Sequence, residues 1–475
     1  MKNSILILFS FFNTFLLGQS SFILQGKLEN FPGKELQFFF QNIPGITEID
    51  TIHLALDGSF FYENKRLTRP QQTSIQWNNV QFNDIYIAPG FQLTLEANVV
   101  DYETLVKTRK ISGIGAVINQ YQFSVDTIFA SDTTKWYLLS TPDLVKYAQS
   151  YFEAREALSA KMLGQPSTDP FFDYFKEVAK RNNEFLRANF LLSHFNFGNS
   201  YGTNSAEILS EFTGKDILKN LSNEKNLQSK MFLDGIVTSD YLRYMVNIDY
   251  KSNPRLREDE NYLLRKAAEL YSGQVKDYAL TQLMIGRIYG TNSVEMLNDR
   301  LADFEPFIEE IQLPAYQTYL NQKIQDQIQK LSRIQEGELA PNFLLPDNFN
   351  VYHQLTDFQG KILYIDLWAS WCAPCRAETP FLNDLIKQYE GNDQIEFISI
   401  AVRDDHTDWQ NAILKDQPLS KQWYDEHRFV YSTYLLGSLP QFLIIDKVGN
   451  LAMLKAPRPS EKAKLTQVLD RLLNE

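Results

Sequence analysis

The sequence predicts a multidomain chain, with an N-terminal all-β sandwich or barrel, a central α-helical domain and a C-terminal α/β layered domain. Three observations lead there. The length of 475 residues suits two to four domains at roughly 100–200 residues each. The apolar spacing changes twice along the chain, from short aromatic and β-branched runs to a three- and four-residue period, and then to strand–helix–strand alternation. Finally, 44% hydrophobic and 22% charged residues are ordinary for globular protein and exclude a fibrous repeat or wholesale disorder. The expected segments are 1–19, 20–112, 113–333 and 334–475.

The first segment reads as a secretory signal. Lys2 precedes a mostly apolar stretch from Ile5 to Leu17, and Gly18-Gln19-Ser20-Ser21 supplies small residues for cleavage near residue 19. The stretch is short for a spanning helix, which needs about 20 residues. The mature chain is therefore expected to be exported, in a periplasm, without stable membrane insertion. The 46 Lys+Arg against 58 Asp+Glu give a net charge of −12. Such a balance argues against nucleic acid as a partner, because phosphate-backbone binding needs clustered Lys and Arg.

Residues 22 to about 112 read as strands. The runs are Phe22–Leu24, Leu36–Phe40, Ile49–Leu56, Phe60–Tyr62, Ile75–Trp77, Ile85–Ile87 and Leu93–Ala97, with Pro32-Gly33, Pro44-Gly45, Asp57-Gly58 and Pro89-Gly90 as turns between them. Asp57-Gly58 is a hairpin signal, since glycine takes positive φ at little cost. From Val117 to Leu331 the pattern is helical. A nonapeptide, Tyr201-Gly202-Thr203-Asn204-Ser205-Ala206-Glu207-Ile208-Leu209, returns in altered form at 289–297. Asn204 with Glu207 and Asn292 with Glu295 fit capping boxes, each glycine closing the helix before it.

A polar Gly/Pro-bearing boundary, Glu336–Pro341, introduces the last domain. Lys361–Leu367 and Ile395–Val402 read as buried strands, with a helix from Ala373 to Tyr389 between them. Phe442–Ile445 and Leu451–Leu454 form a hairpin around Val448-Gly449-Asn450, and Ser460–Leu473 is an amphipathic helix with Ser460 as N-cap.

The chain's two cysteines stand three apart in Trp371-Cys372-Ala373-Pro374-Cys375, where a buried strand passes into a helix. Unpaired N–H groups and the positive end of the helix dipole stabilise a thiolate there, and Pro374 loses little by lacking its N–H in a first turn. Cys372 is expected to be the exposed nucleophile, with Cys375 beneath it as the resolving thiol. A half zinc site and an inert disulfide are the structural alternatives. Structural zinc wants four ligands, and His353, His406 and His427 have no helpful spacing. Closing so short a loop restrains little of the unfolded chain. The site is expected to need neither metal nor cofactor.

Ala340-Pro341-Asn342-Phe343, Phe358-Gln359-Gly360-Lys361 and Asp366–Pro380, which holds Trp368-Ala369-Ser370-Trp371-Cys372, resemble the TlpA/ResA branch of the thioredoxin superfamily in order and spacing. Leu436-Gly437-Ser438-Leu439-Pro440 resembles that family's cis-proline loop. The resemblance covers about 140 residues from Glu336 and implies a thioredoxin-like fold. The β segment with its helices is more loosely similar to accessory domains of Bacteroidetes exported proteins. By the family's pattern Cys372 and Cys375 are the redox disulfide, and Asp366 is the buried acid that relays the Cys375 proton. Glu378 is an acid beside the site, on the face of Cys375. Trp371, Leu439 and Pro440 would receive the substrate, Leu439 pairing its backbone with an incoming chain, while Trp368 belongs to the core. Gln441 stands where the family often has Thr, and Asp366 where many relatives of this branch have Asn.

The resemblance implies a thiol–disulfide oxidoreductase, more a reductase than an oxidase. Its partners would be disulfide-containing exported proteins, with a membrane electron-transfer protein as donor, in cytochrome c maturation or in recycling wrongly oxidised proteins. A peroxiredoxin-like peroxidase is the alternative enzyme, but Ala369 stands where its hydroxyl residue would be. A metal-binding or interaction module is the non-enzymatic alternative.

Overall fold

The computed structural model describes residues 21–77, 80–130, 134, 136, 139–198, 205–213, 218–332, 334–434 and 438–475. The expected leader at 1–19, residues 201–204 of the repeated nonapeptide, and Leu436-Gly437 of the expected loop lie outside them. The chain divides into two compact units, Met1–Leu283 with Pro306–Tyr319, and Met284–Glu305 with Leu320–Glu475. Among the described residues no helix is long and apolar enough to cross a membrane.

The predicted layout of β sheets, helices and an α/β domain is the one observed. The N-terminal strands are β1 (Phe22–Glu29), β2 (Glu35–Ile43), β3 (Ile46–His53), β4 (Ser59–Asn64), β5 (Gln71–Trp77), β6 (Val80–Ile87), β7 (Gln92–Asn98) and β8 (Lys110–Ile114). They form two four-stranded sheets, β4-β1-β7-β8 and β3-β2-β5-β6. Phe22 and Leu24 of one sheet and Phe38 and Phe40 of the other share a core, with the Phe22 and Phe38 rings stacked at 5.6 Å. Alternate residues face this core, as a half-buried sheet requires.

Asp57-Gly58 does make a turn, with Gly58 at φ +80 and the Asp57 carboxylate accepting from Ser59 N–H at 3.0 Å. It does not close a full hairpin. β3 and β4 lie in different sheets, with an isolated bridge between Leu54 and Phe60 beside the turn. The turn carries the chain across the sandwich, because β4 instead pairs along its length with β1. Strand β8 carries glycine and few apolar residues, so its sequence gave no sign of it.

The helices run α1 (Tyr102–Thr108), α2 (Ala116–Ala130), α3 (Thr141–Leu163), α4 (Phe172–Gly198), α5 (Ser205–Thr213), α6 (Asp240–Ser252), α7 (Tyr262–Leu270), α8 (Gly273–Tyr289), α9 (Val294–Glu309) and α10 (Pro314–Ser332). Ile118 and Tyr121 of α2 and Phe175 of α4 enter the sandwich core. Asn119 of α2 accepts from the Tyr86 N–H at 2.7 Å and donates to its carbonyl at 2.9 Å. That side chain satisfies the outer edge of β6, which would otherwise offer open backbone groups. The capping box expected at Asn292 is displaced by one residue. The Ser293 hydroxyl accepts from Met296 N–H at 3.1 Å and its carbonyl from Leu297, so Ser293 is the cap, and the shorter hydroxyl side chain fits the N–H better.

The C-terminal strands are β9 (Leu344–Pro346), β10 (Tyr352–Gln354), β11 (Ile362–Trp368), β12 (Ile395–Val402), β13 (Lys421–Asp425), β14 (Gln441–Ile445) and β15 (Leu451–Met453). The helices here are α11 (Ala373–Gln388), α12 (His406–Asp416), α13 (Phe429–Thr433) and α14 (Lys462–Asn474). A five-stranded sheet has the order β13-β12-β11-β14-β15. β12 runs parallel to β11 and to β13, and β14 antiparallel to β11.

Every residue of the central strand β11 is buried, as expected of a strand covered on both faces. Leu363, Ile365 and Leu367 face one core. Ile362 and Tyr364 face the other, beneath Leu382 and Leu385 of α11 and Leu465 and Leu469 of α14. Ser460 is not the cap of α14. It sits in a 3-10 turn, Pro459–Glu461, ahead of that helix; its hydroxyl serves another partner, described below. β13 and α12 escaped the sequence reading because Lys421–Asp425 mixes polar residues into a short edge strand.

Candidate active site

The end of β11 and the start of α11 place the two cysteines. Trp368 is the last residue of the strand, and the chain turns through Ala369-Ser370-Trp371 into the helix. Cys372 is the N-cap, with extended backbone, and its N–H donates to Ala369. Pro374 falls in the first turn, where no intrahelical donor is needed. Cys372 and Cys375 are joined by a disulfide with their Cα atoms 5.3 Å apart. The N–H of Cys375 donates to Cys372 Sγ at 3.2 Å. A helix-terminal N–H thus already points at the sulfur that would carry charge after reduction, in the field of the dipole.

The expected contrast between an exposed and a buried sulfur is absent from this oxidised state. Cys372 is 4% exposed and Cys375 3%. The ring draws Cys372 down onto the first turn, where Trp368, Ala369 and Ala401 pack around both residues and Leu439 borders the same cluster. Trp371 is 60% exposed and its indole N–H donates to the Arg403 carbonyl at 3.0 Å. Leu439 and Pro440 are half-buried, and the bond between them is cis. The structure thus brings Leu439 to the cysteines, with Pro440 next to it in the chain. Trp368 is buried, as expected.

The turn before Cys372 is held by residues that the sequence reading missed. Asp404 accepts from the Ser370 N–H at 2.5 Å and from its hydroxyl at 2.6 Å. Arg376 of α11 makes a two-pronged pair with Asp416 of α12 at 2.5 and 2.7 Å. These ties fix the helix start from outside, and nothing in their local sequence signals them, since each partner lies more than 30 positions away in the chain.

Asp366 lies on β11, on the face covered by α11. It is 8% exposed. Burial pushes its carboxyl up to about 7, opposed by a hydrogen bond from Ser399 and assisted by the charge of Glu378. Ser399 Oγ donates to Oδ2 at 3.0 Å, whereas Oδ1 has no partner among the described residues. A carboxyl balanced near neutrality can take and release a proton under working conditions.

Glu378 is buried on the same helix as the cysteines, and both its oxygens are engaged by another partner. Its two oxygens accept from the Ser460 hydroxyl and Ser460 N–H, each at 2.9 Å, and Arg458 lies 3.9 Å off. Ser460 thus answers a buried carboxylate rather than capping a helix. The reach toward Cys375 inferred from i, i+3 spacing is not among the hydrogen bonds of the described residues, where both oxygens accept from Ser460 and Cys375, held in the disulfide, has no thiol proton to donate. What Glu378 contributes at the site is charge close to Asp366.

Comparison with known proteins places this chemistry. A family model described as thioredoxin-like matches residues 360–451. Over 119 residues the chain is 29% identical to the thiol-disulfide oxidoreductase ResA of Bacillus cereus, covering 25% of this chain and 68% of that protein. Over 115 residues it is 30% identical to ResA of Geobacillus thermodenitrificans, covering 24% and 66%. The chain thus spans about two thirds of the length of these relatives. A crystal structure of a candidate thiol-disulfide oxidoreductase from Bacteroides vulgatus is 30% identical, covering 30% of this chain and 99% of that one, with a TM-score of 0.28. The C-terminal domain has a thioredoxin-like fold that carries a Cys-x-x-Cys pair.

Proposed function

We propose that this thioredoxin-like domain makes the chain an exported thiol–disulfide oxidoreductase, acting as a reductase on disulfide-containing proteins. The observation that carries the reading is the Cys375 N–H held on Cys372 Sγ at the mouth of α11. Helix-terminal donors lower the energy of a thiolate there, and thiolate is the attacking species. Cys372 thiolate attacks a client disulfide, forming a mixed disulfide and releasing one client thiolate. Cys375, deprotonated by Asp366, then attacks Cys372 Sγ, closes the ring and frees the second client thiolate. Two electrons pass from the protein to the client. A membrane electron-transfer protein would return them. The names of the relatives support the thiol–disulfide chemistry, and an oxidising exported compartment makes a dedicated donor necessary for the reducing direction.

Trp371 offers an exposed apolar surface beside the disulfide. The backbone of Leu439 offers an edge on which an extended client segment can add as a short strand. The segments 20–112 and 113–333 would then position the redox domain on clients, after loss of a leader at 1–19.

Replacing Cys375 with serine removes the resolving thiol and leaves the attacking one. In the exporting host, such a variant of the full chain is expected to accumulate mixed disulfides, seen on non-reducing gels as reductant-sensitive bands that contain it. Bands equally abundant with wild-type protein, or none with the variant, would remove Cys375 from the resolving role.

A further inference from the structure

A row of polar side chains crosses the C-terminal sheet in a layer that is otherwise apolar. Register aligns Phe442 of β14, Asp366 of β11, Ser399 of β12 and Gln422 of β13. Ser420 stands just before β13, and its hydroxyl lies 2.7 Å from that of Ser399. Gln422 Nε2 in turn donates to Ser420 Oγ at 2.9 Å. All four polar residues are buried. Their neighbours in the layer are Ile362, Tyr364 and Phe397, Trp368 and Ala401.

The hydrogens in this row have one consistent direction. Ser399 has a single hydroxyl proton and gives it to Asp366, so it must accept from Ser420, which must accept from Gln422. Every donor points toward the carboxylate, the polarity that favours its ionised form. The outer end lies at the rim of the sheet, since Ser420, itself 6% exposed, immediately precedes the edge strand β13. At that end Gln422 Oε1 has no partner among the described residues. A buried serine pair is a poor choice for packing a sheet interior, where unpaired hydroxyls are costly and apolar residues fit without partners.

We propose that Ser399 and Ser420 are positioning residues that connect Asp366 to solvent, serving as the path along which it sheds the proton taken from Cys375. The inference rests on the function proposed above and adds a route to it. The Cys375 thiol gives its proton to Asp366, and the thiolate attacks Cys372 Sγ and expels the client thiolate. With Asp366 protonated the two hydroxyls turn outward, and the carboxyl proton then passes to Ser399 while Ser399 passes its own to Ser420 and Ser420 to water. No electron moves in that last step, and the hydroxyls end pointing toward the carboxylate, as they do in this structure.

Other ionisable groups are arranged so that the row can set this balance. Glu378 faces Asp366 from α11, and the Tyr364 phenol lies near both carboxylates. On β12 the facing residue is Ser399, and on β14 it is Phe442. Lys421 and Asp425 of β13, one and three positions from Gln422, fall on the opposite face by the two-residue alternation of a strand, and Lys421 there pairs with Glu396 at 2.9 Å.

The test uses the full reduced chain mixed with excess 5,5′-dithiobis(2-nitrobenzoate) in a stopped-flow instrument. Attack by Cys372 releases one coloured thiolate in a phase whose rate follows reagent concentration. Closure by Cys375 on that mixed disulfide releases the second in a phase independent of reagent concentration. Ser399→Ala is expected to slow the second phase about tenfold at neutral pH and to move its pH midpoint up by about one unit, the loss of one hydrogen bond to a charged group. The first phase should stay unchanged. Ser399→Thr restores the hydroxyl and should restore the profile. Ser420→Ala, which leaves the Asp366 contact in place, should slow the second phase with less change in midpoint.

A second phase in Ser399→Ala that superimposes on wild type would overturn the proposal, as would one that threonine fails to rescue. Should Ser399→Ala not fold, an unaltered second phase in Ser420→Ala overturns it alone. A wild-type chain that shows no second phase at all would instead defeat the function proposed above, a result distinguishable from any of these.

Discussion

A Cys372→Ser chain is expected to reduce insulin disulfides at least about a thousandfold more slowly than wild type, because loss of the attacking atom leaves only binding and placement. The expectation follows from geometry as much as from the motif. Cys372 is the residue at the helix mouth, its sulfur the one that accepts the Cys375 N–H, and its neighbour Trp371 is exposed. A serine hydroxyl in the same place is a poor nucleophile at neutral pH, since its proton is too tightly held for the helix end to remove. The turbidity of precipitating insulin, measured with dithiothreitol as terminal reductant, reads the effect directly. Wild-type activity in Cys372→Ser would remove this sulfur from the reaction. Because the disulfide leaves no thiol to alkylate, iodoacetamide should leave the oxidised chain untouched and label the reduced chain at Cys372.

Asp366→Asn has the second large effect, and it is read in stability as well as rate. In the folded protein the carboxyl is pushed up to about 7 by burial, whereas in the unfolded chain it titrates near 3.9. Between those values the folded state holds a proton that the unfolded state has released. Folding stability therefore falls as pH rises from about 4 to about 7, and the whole penalty is present above that. At 1.36 kcal/mol per unit, it reaches roughly 4 kcal/mol. Asparagine carries no such charge. Urea unfolding of the oxidised chain should show wild type losing that stability between about pH 4 and about pH 7, with Asp366→Asn losing far less. Parallel curves for the two proteins would mean that the carboxyl titrates as it does in water. The same variant should close the ring about 10- to 100-fold more slowly at neutral pH, the usual scale of general-base assistance.

What could be read from the chain alone follows the range over which each interaction acts. The Cys-x-x-Cys pair, Pro374 and the buried run of β11 are local. Their spacing dictates a helix start after a buried strand, and the N-cap at Cys372 is where that spacing puts it. The aromatic runs of the N-terminal region likewise announce strands, since alternate burial leaves a period of two. Where the reading failed, a distant group had captured a local one. Ser460 looked like a helix cap until Glu378, 82 positions away, took both its donors. Glu378 looked aimed at Cys375 by helical spacing, and both its oxygens are held by that same serine. Asp57-Gly58 is a true turn, but which sheet each flanking strand joins depended on β1, whose edge was the better partner for β4.

The sequence by itself determined that two thiols would meet at the mouth of a helix, because a four-residue interval and one turn of backbone suffice for that. The tertiary structure alone decided how the thiols would be served. It buried Asp366, set Ser399 and Ser420 in line with it across three strands, and clamped the preceding turn from Asp404. Each of those pairings joins residues that are 21 to 34 positions apart. Proton affinity in a protein interior is set by what surrounds the group in space, and no spacing along the chain encodes that until the sheet has formed.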